Sequence, residues 1–238
     1  MKKKKAGKTI GLILAALLIL SGALVFLYPR YTDWQYRNEV NDAREDFMAW
    51  RDTGDEDKKN TALEELYREL KRRNEKLYTE RQKGLRDPFS YEQPAIDLSA
   101  YGLEENRIGF LSIPKMDIEL PILLGANEEN MSSGAVHLTG TSYPIGGVNT
   151  NCVIAAHRGY SRTAMFRDIE ALEVGDKIYI ENFREKLIYQ VTELRIIEPT
   201  DIDQLLIQEG KDMVTLVTCH PYGYNYQRYV VFCERVKN

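Results

Sequence analysis

The stretch "MVTLVTCHPYGYNYQRYVVFCERV", residues 213–236, decides the fold. Two runs rich in Val, Thr, Tyr and Phe flank a connection carrying Pro, Gly and Asn, the pattern of two strands joined by a turn. Pro221 ends the first run and Arg228 opens the second, so a hairpin here would return Arg228 to the neighbourhood of Cys219. Upstream the same kind of run recurs from Arg107 onward: RIGFLSI, IELPIL, GAVHL, NCVIAA, DKIYI and KLIYQVTELRII. With the hairpin these make about eight strand candidates, punctuated by Pro, Gly, Asn and Asp. Between them only "TAMFRDIEAL" (163–172) and "DIDQLLIQE" (201–209) read as helical. So many strands with so few helices predict a mainly β fold, a closed or nearly closed barrel, not a parallel α/β sheet.

The N-terminal third differs. The first eight residues, MKKKKAGK, carry five lysines and no acid, and an unbroken apolar run follows from Ile10 to Tyr28. As a helix those nineteen residues reach about 28 Å, close to the hydrocarbon thickness of a bilayer. Lysines before the run, against Arg30 alone just after it, put the remainder outside. A cleaved signal peptide would have a shorter apolar region and an A-x-A-like site, and no clear one is present. Residues 33–83 are dense in charge and helix formers. In "TALEELYRELKRRNEKLY" (61–78) Leu63, Leu66, Tyr67, Leu70, Leu77 and Tyr78 follow a helical period, and "DTGDE" (52–56) divides the region into two helices. One apolar stripe suits either a solvated stalk or a helical pair packed on the domain. The chain therefore divides into a basic cytoplasmic tail (1–9), a transmembrane anchor (10–28), an N-terminal helical region (29–84), a short segment (85–95) and a β-barrel domain (96–238).

Composition removes some function classes. Taking the five leading lysines from a formal net charge of −4 leaves −9 for residues 9–238, and an acidic exported domain repels phosphates, so nucleic acid is excluded as a partner. The three cysteines form no C-x-x-C and the three histidines are scattered. Zinc spacing is absent, no acidic run has calcium-loop spacing, and no cofactor is expected.

An odd cysteine count outside the cytoplasm leaves at least one thiol unpaired or paired between molecules. Cys219 is the candidate nucleophile. Strand side chains alternate faces, so His220 points away from Cys219 and is badly placed to take its proton. A cysteine nucleophile draws its histidine from another strand or loop. His157, directly after the apolar run CVIAA and before the loop RGYSR, is better placed for chemistry than His137 in GAVHLTG, because loops on a rigid scaffold carry function. On pattern alone His137 stays the other candidate, and either could be an ordinary hydrogen-bonded histidine. Arg228, nine residues after Cys219, is placed to depress the thiol's pKa or hold an oxyanion, unless it is a plain surface arginine.

Together, "TLVTC", the histidine in "AAHRGY" some sixty residues earlier and the arginine nine residues after the cysteine resemble the sortases, membrane-anchored cysteine transpeptidases of Gram-positive bacteria. The resemblance covers about residues 85–236. It implies an eight-stranded sortase-type barrel with short helices, with Cys219 as nucleophile, His157 as catalytic histidine and Arg228 as catalytic arginine; His137 and His220 match neither role. "GTSYPIGG" (140–147) followed by "HRGY", and the paired N-terminal helices leading into "RDPFSYEQP", look like the pilus-assembling, class C group. In that group an Asp-Pro-aromatic lid covers the site, which Asp87, Pro88 and Phe89 match, so the resemblance implies a lid over 85–95 and a sortase-type catalytic domain over 96–238. Two features depart from the group: no second apolar segment precedes Asn238, and His220 stands where a small polar residue is common.

The resemblance further implies cleavage of a Leu-Pro-x-Thr-Gly-like sorting signal of a pilin or surface protein, through a thioester on Cys219. The acyl group then passes to an amine: a pilin lysine in pilus assembly, a cell-wall precursor in housekeeping relatives. In such a barrel the strands of Cys152 and Cys233 flank that of Cys219, about 9–10 Å apart and beyond disulfide reach, so both are read as buried thiols. An L,D-transpeptidase would need a Ser-His-Gly-Cys arrangement that is absent. A non-catalytic anchored β-domain, an adhesin or sensor, would have no specially reactive cysteine.

Overall fold

The computed structural model describes residues 2–52, 56–83, 85, 96–103, 105–160 and 163–236. Helix α1, Lys2–Asp52, runs through Pro29 without a break. It is one helix, long and apolar enough to cross a membrane, with the apolar part fully exposed on the protein. Beyond that part the helix docks on the barrel. Val40 and Phe47 are buried, and Phe47 meets Phe110 edge-on at 5.6 Å. Arg37 pairs with Asp117 at 2.7 Å, and Arg44 bridges Glu119 at 2.6 Å and Glu181.

Helix α2, Glu56–Thr79, buries Leu66 and Leu70 completely, with Leu63 and Tyr67 packed beside them. These fall at i, i+3, i+4 and i+7, one face of a helix. Asn74 fixes the register of that face, accepting from Tyr143 N at 2.8 Å and donating to Tyr143 O at 3.4 Å. The stripe is thus a packing surface, not a solvated stalk.

Eight strands follow: β1 Arg107–Ile113, β2 Ile118–Leu124, β3 Ala135–His137, β4 Thr150–Ala155, β5 Lys177–Asn182, β6 Lys186–Ile197, β7 Asp212–His220 and β8 Gln227–Arg235. They close into a barrel in the order β1-β2-β3-β4-β7-β8-β6-β5. β4 and β7 run parallel, β7 and β8 antiparallel. Alternation sorts these three strands into two faces. Cys152, Ile154, Val214, Leu216, Val231 and Cys233 join the interior core. Val153, Met213, Val217, Val230 and Phe232 form an outward cluster covered by Leu85, Leu138, Ile197 and Leu205.

The two stretches read as helical are not α-helices. Each contains only a short 3-10 turn, Ile169–Ala171 and Ile202–Leu205, because their backbone groups are committed elsewhere. Phe166 N donates to His157 O at 3.0 Å, and Ile207 N to the Gln82 side chain at 2.6 Å. A further short helix, α3 Glu128–Ser133, has no apolar periodicity to betray it; the Asn127 side chain caps it by accepting from Asn130 N at 2.8 Å.

Candidate active site

Cys219 lies near the end of β7, directly opposite Arg228 of β8 in the antiparallel register. Residues so opposed have Cβ atoms about 4.5–5.5 Å apart on one face of the sheet. On the other side, Ala155 of β4 pairs with Val217, and Ala156 N continues the ladder to Val217 O at 3.3 Å. Thr218 Oγ1 donates to Ala156 O at 2.8 Å, clasping the two strand ends. His157 and Cys219 each stand two residues beyond the Ala155–Val217 pair, and continued alternation would place both on the outward face of Val153 and Val217. The end of β4 leading to His157, the end of β7 with Cys219 and the start of β8 with Arg228 therefore meet at one end of the barrel.

His157 is half-buried, and burial lowers its pKa below the ordinary imidazole value. Its ring stacks on Tyr160 at 5.0 Å and 12°. Between them the chain passes through Gly159 at φ 93°, in the left-handed region that favours glycine, and beyond it Tyr160 N donates to Thr163 O at 3.0 Å. Arg228 is buried. Its Nη1 donates to Asn225 O at 3.0 Å and Gln227 O at 3.1 Å, which folds the guanidinium back against the β7–β8 connection. Cys219 is a partly exposed thiol.

The other candidates are elsewhere. His137 is buried inside the fold, its Nε2 3.2 Å from Thr141 O and 3.1 Å from Ser142 O, and stacked on Tyr143 at 4.8 Å. His220 points to the opposite side of β7 from Cys219, its Nδ1 3.0 Å from Arg158 Nη1 and 3.1 Å from Glu170 Oε1. Cys152 and Cys233 each pair with Val214, from opposite sides, so all of β7 separates them. Both are free, and burial pushes both thiols up, which suits core residues rather than nucleophiles. Asp87, Pro88 and Phe89 lie outside the described residues. Among the described residues no cluster of three or more His, Cys, Asp or Glu side chains could hold a metal ion. Two side chains near the site were not anticipated: Tyr160, whose only signal is its spacing of three from His157, and Glu170, for which the sequence carries none.

The Sortase domain family model matches residues 111–236, more than half of the chain. The chain belongs to the sortase family. Among curated relatives, Sortase A of Bacillus anthracis is 33% identical over 147 residues, spanning 61% of this sortase and 68% of that protein. Among solved structures, Streptococcus pneumoniae Sortase C superposes with a TM-score of 0.72 at 33% identity, covering 83% of this sortase and 97% of that chain. The complex of Streptococcus agalactiae sortase C1 with MTSET gives 0.72 at 31% identity, covering 84% and 97%. These structural neighbours are class C sortases, and their coverage reaches past the barrel into the N-terminal helices that this sortase packs against it.

Proposed function

We propose that the protein is a membrane-anchored cysteine transpeptidase of the pilus-assembling kind, acting through Cys219, His157 and Arg228. The observation that carries this reading is that Cys219 stands directly opposite Arg228, with His157 two residues past the Ala155–Val217 pair on the neighbouring strand. Burial keeps His157 neutral at rest, so it can accept the Cys219 proton as the sulfur attacks the carbonyl between Thr and Gly of a Leu-Pro-x-Thr-Gly-like signal. The imidazolium then protonates the leaving amine, and the Thr carbonyl remains as a thioester on Cys219. An incoming amine loses its proton to His157 as it attacks, releasing the thiol. Arg228 holds the tetrahedral oxyanion or orients the signal.

The acceptor in this reading is a lysine amine of the next pilin. Support comes from the class C neighbours, which cover 83–84% of this chain and of which the S. pneumoniae enzyme is described with pilin substrate specificity. Attachment to a cell-wall precursor is the second reading, favoured by the 33% identity to a protein named Sortase A. The N-terminal helix would cross the cell membrane once, with the barrel outside. Asp87, Pro88 and Phe89 would act as a lid, Asp87 meeting Arg228 and Phe89 covering Cys219. Incubating the full-length enzyme in micelles with candidate pilin subunits tests the assignment: isopeptide-linked ladders are expected, and products ending only on cell-wall precursor would favour the second reading.

A further inference from the structure

We propose that Arg158, Glu170 and His220 are positioning residues for the acyl transfer, a second layer tying together the three strand ends that present Cys219, His157 and Arg228. The inference rests on the assignment of those three above. Each is followed in sequence by a residue that points to the opposite, barrel-interior side: Arg158 after His157, His220 after Cys219 and Tyr229 after Arg228. Behind the site those neighbours meet. Arg158 Nη1 lies 3.0 Å from His220 Nδ1, and Arg158 Nη2 lies 2.6 Å from Glu170 Oε1. Glu170 Oε1 is also 3.1 Å from His220 Nδ1. The Arg158 guanidinium lies 5.9 Å from the centre of the Tyr229 ring, and the His220 ring is 5.9 Å from the same ring. One carboxylate, held on the 3-10 turn Ile169–Ala171, thereby couples the ends of β4 and β7, and the Tyr229 ring of β8 packs beside both of its partners.

The chemistry of the contacts fixes what this layer requires. Arg158 is buried, its side chain 6% exposed, and a buried guanidinium is tolerable only with partners. Guanidinium nitrogens donate and never accept, so Nδ1 of His220 can bind Arg158 only as a lone pair. That is the neutral Nε2–H imidazole, with Arg158 donating to both His220 and Glu170. A protonated His220 must turn its Nδ1–H to Glu170 and face Arg158 as a like charge. Among the described residues Arg158, Glu170 and Tyr229 are the charged or titratable groups facing it. A displaced neighbour in either strand end shifts the reacting residue beside it, and near-attack geometry tolerates little displacement.

The test measures the rate at which iodoacetamide alkylates Cys219 in the full-length chain in micelles, read by peptide mass spectrometry with a thermal midpoint for each protein. Glu170→Gln and His220→Ala are expected to slow alkylation about three- to tenfold near pH 7.5 at unchanged midpoint. Glu170 is half exposed and glutamine almost isosteric, so that variant keeps the fold. His220→Asn, whose amide oxygen can accept from Arg158 in place of Nδ1, is expected to restore the rate to within about twofold. Parental rates in Glu170→Gln and His220→Ala, or losses that track the midpoint and are not rescued by asparagine, would overturn the proposal. Turnover of a Leu-Pro-Glu-Thr-Gly peptide by Cys219→Ala separates the two readings. Survival there removes the nucleophile assignment itself, whereas abolition alongside unchanged Glu170→Gln alkylation removes only the positioning role.

Discussion

Cys219 and His220 are adjacent in the chain and lie on opposite faces of β7, one with His157 and Arg228, the other with Arg158 and Glu170. His157→Ala should therefore lower turnover of a sorting peptide by at least about a hundredfold, the scale of general acid–base catalysis, whereas His220→Ala should cost only a few-fold. The reverse ranking, measured as kcat/KM, would refute the assignment. Cys152→Ala and Cys233→Ala should leave activity intact and cost on the order of 1 kcal/mol of stability as small core truncations. His137 gives a pH signature. Burial lowers its pKa from 6.5 to about 4, so between those values the unfolded chain binds a proton that the folded chain refuses. Stability should then fall as pH drops from about 6.5 toward 4, by up to about 3 kcal/mol from this residue. Urea midpoints across that range in the parent and in His137→Gln check it; equal slopes in both would contradict it.

The strands were legible as short apolar or alternating runs bounded by turn residues: RIGFLSI and KLIYQVTELRII coincide with β1, Arg107–Ile113, and β6, Lys186–Ile197. The pairing of Cys219 with Arg228 was legible for the same reason, since a short connection between two alternating runs fixes a hairpin. What was not legible depends on partners distant in sequence. TAMFRDIEAL and DIDQLLIQE have helical spacing, but their backbone donors close loops onto His157 and Gln82. Glu170 lies on such a connection, where no periodicity marks a site. The choice between stalk and packed helices was also undecidable from one stripe; Asn74 and its two hydrogen bonds to the Tyr143 backbone decide it. Asn74→Ala would leave the buried Tyr143 N–H unpaired, while Tyr143 O still accepts from Ile145 N at 2.8 Å. The substitution should destabilise the docked helix by about 1–3 kcal/mol for the group left unsatisfied, read as a lowered urea midpoint and earlier proteolysis of α2. No change in either would show that the leucines alone hold it.

One continuous helix joins the apolar N-terminal run to the residues that grip the barrel, so the catalytic end would stand at a fixed height and orientation relative to a membrane. Access to that end would then depend on the lid. A charged hydrogen bond from Asp87 to Arg228 and burial of Phe89 over Cys219 would each contribute about 1.5–3 kcal/mol. The closed state would dominate, and substrate would bind only the open minority. Asp87→Ala with Phe89→Ala should speed alkylation of Cys219 without altering the chemistry once the site is open; equal rates at equal folded fraction would make the segment an ordinary loop.

The central claim is that Cys219 carries the acyl group. The most direct measurement mixes the full-length enzyme in micelles with a Leu-Pro-Glu-Thr-Gly peptide, quenches in acid and locates the adduct by peptide mass spectrometry. The expected result is a thioester to the threonine carboxyl on Cys219 alone, absent in Cys219→Ala together with all cleavage and ligation. An adduct on Cys152 or Cys233, or cleavage that persists in Cys219→Ala, would contradict it.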